Sequence, residues 1–158
     1  MSEPALSKAP LTIPLADGPV AAWMDRTFAV LVAVPVAAVT VALASVTADP
    51  RGHGTHEQLG LDACQWPAVY GMPCPTCGVT TAACLLVHGH PIDALVVQPF
   101  GALGMLAALL LGGHAAYCLL RRRSFVDLLV RFPFWRIVLG AIVLLLLSWG
   151  YKCLVWVP

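Results

Sequence analysis

"VTTAACLLVHGHPIDALVVQ", residues 79 to 98, decides how many times this chain crosses a membrane. Both ends of the stretch are apolar, but its middle holds His88, Gly89, His90, Pro91 and Asp93. Read as one span, it puts two histidines and an aspartate near the bilayer centre, at a few kcal/mol each. Two short helices joined at His-Gly-His avoid that penalty. The first, about Val79 to His88, is roughly 15 Å long and cannot cross. It is expected at the outer leaflet, re-entrant or interfacial. The second starts at Pro91, a favoured first helical position, with Asp93 in the first turn beside the positive end of the helix dipole. It runs into a longer apolar helix with a kink near Pro99. Four spans are the competing topology.

The composition around this stretch is that of a membrane protein. Hydrophobic residues make up 59% of the 158 and charged residues 11%, against about a quarter charged in soluble domains. The mean hydropathy is +0.84. Too little polar surface is present to cover a water-soluble globule, and the lipid bilayer is the expected surrounding. The net charge of +1 suggests no nucleic-acid binding.

Residues 1–22 are rich in Pro, Ala and Ser without apolar periodicity and read as a flexible tail. Residues 23–158 read as a single helical membrane domain. "FAVLVAVPVAAVTVALASV", 28–46, carries no charge and reaches roughly 28 Å as a helix, close to the hydrocarbon thickness. Pro35 is expected to kink it mildly. Ala29, Ala33 and Ala37 form a row of small residues suited to helix packing. A cleavable leader ending at "ALA", 42–44, is the rival reading of this segment. The second and third spans are expected over 100–120 and 137–157, with a loop over 47–99. Arg121, Arg122, Arg123, Arg131 and Arg136 lie between those two spans. The positive-inside rule then puts the amino terminus in the cytoplasm and the 47–99 loop outside.

That loop contains "YGMPCPTCGVTTAAC", residues 70–84, with three of the six cysteines. On the outer, oxidising side, a disulfide from Cys64 to Cys74 or Cys77 is the preferred state. A metal clip for zinc or copper on Cys64, Cys74 and Cys77 is a second possibility, with His53, His56 and Asp62 as further ligands. A working redox pair is a third. The spacing of "CPTC" is similar to a glutaredoxin-type site, but no βαβ domain accompanies it. Pro75 and Gly78 allow entry into the short helix. Cys77, Thr81, Cys84 and His88 fall on one stripe of that helix, a face turned away from lipid. His88 lies roughly 16 Å along the axis from Cys77, too far for one metal site. Cys84 reads as a small packing residue. His114 is an ionisable group inside the second span and so a functional candidate. Its ordinary explanation is a neutral imidazole bonded to a neighbouring helix beside a close Gly112-Gly113 contact. The spans show no second buried charge for a proton relay. No catalytic residue set for a hydrolase or kinase is visible.

The order Cys64, "CPTCGVTTA" (74–82), "LLVHGHPIDAL" and "QPFGALGML" resembles a family of small bacterial multi-pass membrane proteins of unknown function. Its signature is C-P-x-C-G-x-T-R-A, then a leucine-rich stretch, a His-Gly-acidic turn and an Asn-Pro that opens a membrane helix. The resemblance covers roughly residues 64–115. Cys64, Cys74, Pro75, Cys77, Gly78, Thr80, Gly89 and Pro99 correspond to the motif. Thr81 stands where the family has arginine, and Gln98 where it has asparagine. The resemblance implies a bacterial cytoplasmic membrane and a shared fold, and no reaction. The expected function is a non-enzymatic membrane subunit with a cysteine-stabilised outer turn that meets another membrane protein. The alternative is a thiol-redox or metal site at the membrane surface.

Overall fold

The computed structural model describes residues 21–131 and 133–156. The expected tail lies outside these except for residues 21 and 22, as does position 157 of the expected third span. The chain is an all-α membrane protein, and no strand occurs among the described residues. Its helices are α1 Ala22–Ala44, α2 Trp66–Tyr70, α3 Val79–Val87, α4 Pro91–Val97, α5 Pro99–Arg121, α6 Val126–Arg131 and α7 Phe134–Leu154. A 3-10 turn spans Thr55–Leu59. Three of the helices, α1, α5 and α7, are long and apolar enough to cross a membrane.

The segment at 79–98 folds as two short helices. α3 has nine residues and α4 seven, roughly 14 and 10 Å at 1.5 Å per residue, so neither crosses. The chain reverses at Gly89, whose φ of 82° suits a residue without Cβ. The expected kink near Pro99 is a full break: Gln98 is extended (φ −163°, ψ 98°) and separates α4 from α5. The four-span topology therefore does not form.

α1 and α5 pack along their length, and small residues permit it. Ala29 and Ala115 are buried against Cys118 and Phe125. Apolar side chains gain nothing by leaving lipid for each other, so close backbone approach has to supply the attraction. Ala33 joins this contact, but Ala37 of the expected row is exposed. The 3.6-residue period carries the contact to Val36 instead, and Gly112 fits against it. A Cβ on Gly112 would stand 2.7 Å from Val36 Cγ1. Pro35 sits inside α1 without ending it.

α1 begins six residues earlier than the charge-free segment suggests. The reason lies about a hundred positions away. The Asp25 carboxylate accepts hydrogen bonds from Ser124 Oγ (2.9 Å), Phe125 N (3.0 Å) and Val126 N (2.9 Å). It thus caps the entry to α6 and satisfies backbone donors that a helix start leaves unpaired. Asp25 is only 8% exposed but lies three residues ahead of the expected first span; the buried charged residue inside an expected span, contrary to the expectation above, is Lys152 at 6%.

α7 rests mainly on α5, and its buried residues are Ser148 and Lys152. Most of its remaining surface is apolar and exposed, as at Leu139, Leu146 and Leu147, which fits contact with acyl chains.

Gly101 is the tightest helix contact to backbone: a Cβ there would lie 2.8 Å from Val79 Cα and 2.9 Å from Val79 O. Gly101→Ala should lower stability by about 1–3 kcal/mol in a detergent melt. Gly104→Ala, where nothing lies within 4 Å, should leave the melt unchanged.

Candidate functional site

The cysteine turn is built at the junction of four segments. α3 opens after Gly78, whose φ is +89°. A Cβ at Gly78 would stand 2.7 Å from Gly52 O, so two stretches of backbone touch there. Thr55 Oγ1 and Thr81 Oγ1 share a hydrogen bond at 2.9 Å, and Asp49 N donates to Thr55 Oγ1 at 2.9 Å. Thr81, at the position where the resemblance expects arginine, is buried. Its role here is to hold the preceding loop against α3. Asp49 in turn chelates Arg51, accepting from its backbone N, Nε and guanidinium. That guanidinium holds the Asp49 carboxyl below its usual range.

Two side chains from beyond the turn brace it, Gln98 and Trp149, and a third, Lys152, braces the loop packed against it. Gln98 is fully buried. Its Oε1 accepts from Phe100 N (3.2 Å), capping α5, and its Nε2 donates to Pro75 O (3.4 Å). The glutamine that replaces the family's asparagine thus still caps the following helix. Trp149 Nε1 donates to Pro73 O at 2.9 Å. Lys152 Nζ donates to Gly52 O (3.1 Å) and Val97 O (3.4 Å) and is only 6% exposed.

Cys64, Cys74 and Cys77 line one cavity of about 480 Å³, together with His53 and His56. Cys64 is exposed, Cys74 half-buried and Cys77 buried. Burial pushes the Cys77 thiol up to about 11, the neighbouring Cys74 and Cys64 adding to this while the Lys152 charge opposes it. Burial, with the adjacent Cys74, also raises Cys64. All six cysteines are free thiols, and no pair stands at disulfide-bonding distance. Among the described residues no group of three His, Cys, Asp or Glu side chains is disposed to hold a metal ion. The candidate ligands have other partners: His53 Nδ1 donates to Arg51 O (3.0 Å) and His56 Nε2 to Asp62 O (3.2 Å).

The stripe expected on α3 is the buried face up to Cys84. The Cys84 thiol lies 3.6 Å from Leu43 O and Val46 O, packing α3 onto the end of α1, while His88 at the end of the stripe is exposed. His88 Nδ1 bonds to Cys84 O at 2.9 Å. Thr80 is half-buried at the cavity wall. His114 bonds to Cys118 of its own helix (Nε2 to Sγ, 3.4 Å) rather than to a neighbouring one. Gly112 makes the close helix contact, and nothing approaches Gly113.

Sequence reasoning missed Gln98, Trp149 and Lys152 as members of the site. A single lysine within an apolar span is a signal for a buried role. A glutamine before a helix-opening proline is a weaker signal for a cap.

The chain matches the family described as "Protein of unknown function (DUF2752)" over residues 64–112. That segment runs from the first cysteine of the turn, through α3 and α4, to the glycine of α5 that meets α1. No curated protein and no solved structure matches the chain.

Lys152→Met should leave Gly52 O and Val97 O without this donor and destabilise the protein by about 1–3 kcal/mol, measured by thermal melt in detergent. The raised folded-state value of Cys77 has a definite sign. Its contribution to stability is present below its ordinary value of 9.0 and is lost as pH rises through about 11. Stability should therefore fall between those limits, and Cys77→Ala should flatten that part of the profile.

Proposed function

We propose that this chain is a non-enzymatic subunit of the bacterial cytoplasmic membrane. Its amino terminus faces the cytoplasm, and its cysteine turn forms a rigid outer surface for another membrane protein. One observation carries the reading: the turn bearing Cys74 and Cys77 is held directly by Gln98 and Trp149, and Lys152 fixes Gly52, the residue whose carbonyl abuts Gly78. Such bracing suits a surface of fixed shape. In an oxidising compartment, Cys64 and Cys74 are the pair to close into a disulfide, because they are the more exposed thiols and neighbours of each other. The five arginines around α6 support the orientation.

A second reading has its own support. Cys64, Cys74 and Cys77 line one cavity, the proximity that exchange between a thiol and a disulfide requires, although burial holds Cys77 as the neutral thiol except at high pH. In that exchange the Cys77 thiolate attacks Cys74 of a Cys64–Cys74 disulfide and releases Cys64 as a thiolate.

Thiol counting on denatured protein, purified in detergent without reductant, tests the disulfide that both readings need. The subunit reading expects two thiols fewer than the six and recovery of all six after reduction. It also expects Cys64→Ser and Cys74→Ser to weaken partner recovery alike, while Cys77→Ser leaves it intact. Six thiols without reductant, or stoichiometric zinc or copper by elemental analysis, would sink it. If Cys77→Ser abolishes scrambling between Cys64 and Cys74 adducts, the exchange reading takes its place. The orientation has its own check: impermeant maleimide on reduced intact cells should modify Cys64 and spare Cys118.

A further inference from the structure

At the end of the bundle opposite the cysteine turn, α1, α5 and α6 border a cavity of about 510 Å³. Its walls are apolar at Ala29, Leu119 and Val130, and it is lined also by Arg26, Arg122 and Arg123. The three arginines are exposed and make no ion pair among the described residues. Two acids, Asp25 and Asp127, share the lining. The oxygens of Asp25 are already filled by Ser124 Oγ, Phe125 N and Val126 N. Counted with Asp25 and Asp127, the lining keeps a formal excess of one positive charge, and the three guanidiniums stand at its exposed rim.

The backbone adds a second observation. Arg122 is the one residue other than glycine with positive φ among those described (φ 53°, ψ 37°). It occupies the left-handed cap position after α5, where glycine fits without steric penalty. An arginine held there instead brings its side chain to the cavity, and strain of this kind is found at functional positions. The cavity lies where membrane-crossing helices end, and the apolar Val130 in its lining is exposed. A cation-rimmed hollow between membrane helices, with apolar walls leading into the bilayer, suits a phosphate ester attached to acyl chains. Guanidinium forks match phosphate oxygens in pairs, which ammonium groups do not.

We propose that Arg26, Arg122 and Arg123 form a binding site for the phosphate headgroup of an anionic phospholipid, with its acyl chains against the exposed faces of α1 and α5. The site rests on α1 and α5 being membrane spans and is independent of what the cysteine turn does.

The test uses the full chain purified in detergent. Phosphatidylglycerol, phosphatidylcholine or inorganic phosphate is added, and bound lipid is counted by native mass spectrometry. Phosphatidylglycerol should be retained about tenfold more than phosphatidylcholine. Arg26→Gln and Arg123→Gln should each lower its occupancy by about fivefold. Arg122→Gly should do the same while removing the unfavourable φ, so its melt should not fall, which keeps loss of lipid distinct from loss of fold. Arg121→Gln and Arg136→Gln, outside the cavity, should leave occupancy within about twofold. Equal retention of the two lipids would overturn the proposal, as would equal losses from the outside variants. Displacement of phosphatidylglycerol by inorganic phosphate at matching concentration would show that a soluble anion is the ligand, which also overturns it.

Discussion

The buried ammonium of Lys152 ties together parts of the chain that share little else. From the last turn of α7 it donates to Gly52 O in the first loop and to Val97 O at the end of α4, and it stands 3.4 Å from where a Cβ of Gly78 would be. A lysine this enclosed is tolerated only if its donors are matched, because desolvating the charge is costly. Two carbonyls and the adjacent Cys77 supply that environment. α7 buries little apolar surface, so this polar anchor, Trp149 on Pro73 O, Tyr151 on Val96 O (2.8 Å) and Ser148, which accepts from Phe100 N at 3.0 Å, hold the third span in register.

The other end of the bundle follows the same logic with the charges reversed. Asp25 receives three hydrogen bonds from the residues that open α6. In the apolar middle, where hydrophobic transfer between lipid and helix surface is nearly neutral, association rests on small residues such as Ala29, Gly112 and Ala115. The fold is thus loose and apolar at its centre and specified by a few buried polar groups at its ends. Both candidate sites, the thiol turn and the arginine-rimmed cavity, lie at those ends, where polar side chains are already concentrated.

The cysteine turn illustrates how rigidity and chemistry combine. Pro73, Pro75 and the Gly78–Gly52 contact restrict the backbone, while Gln98, Trp149 and Lys152 occupy its carbonyls and those of its neighbours. Cys74 and Cys77 therefore stand on a braced segment, while Cys64 lies outside it. Cys77 is withdrawn from solvent, and Cys64 and Cys74 are left towards it.

The three spans and the short α3–α4 pair were legible in the sequence, because bilayer thickness converts directly into a run length and His-Gly-His-Pro interrupts helix propagation within the chain itself. The stripe through Cys77, Thr81 and Cys84 was legible for a similar reason, the fixed 3.6-residue period. What lay hidden were partners distant along the chain. The early start of α1 depends on backbone donors near position 125. The choice of Val36 over Ala37 depends on the register of α5. The place of Gln98, Trp149 and Lys152 at the thiol turn depends on α4, α5 and α7 meeting the first loop. Local periodicity and length are properties of contiguous residues, so the sequence alone determined the three spans and the α3–α4 pair, but not the short α2 and α6, which fall in segments read as loop. The identity of a hydrogen-bond acceptor a hundred positions away is set by packing in three dimensions, and only the tertiary structure decided it.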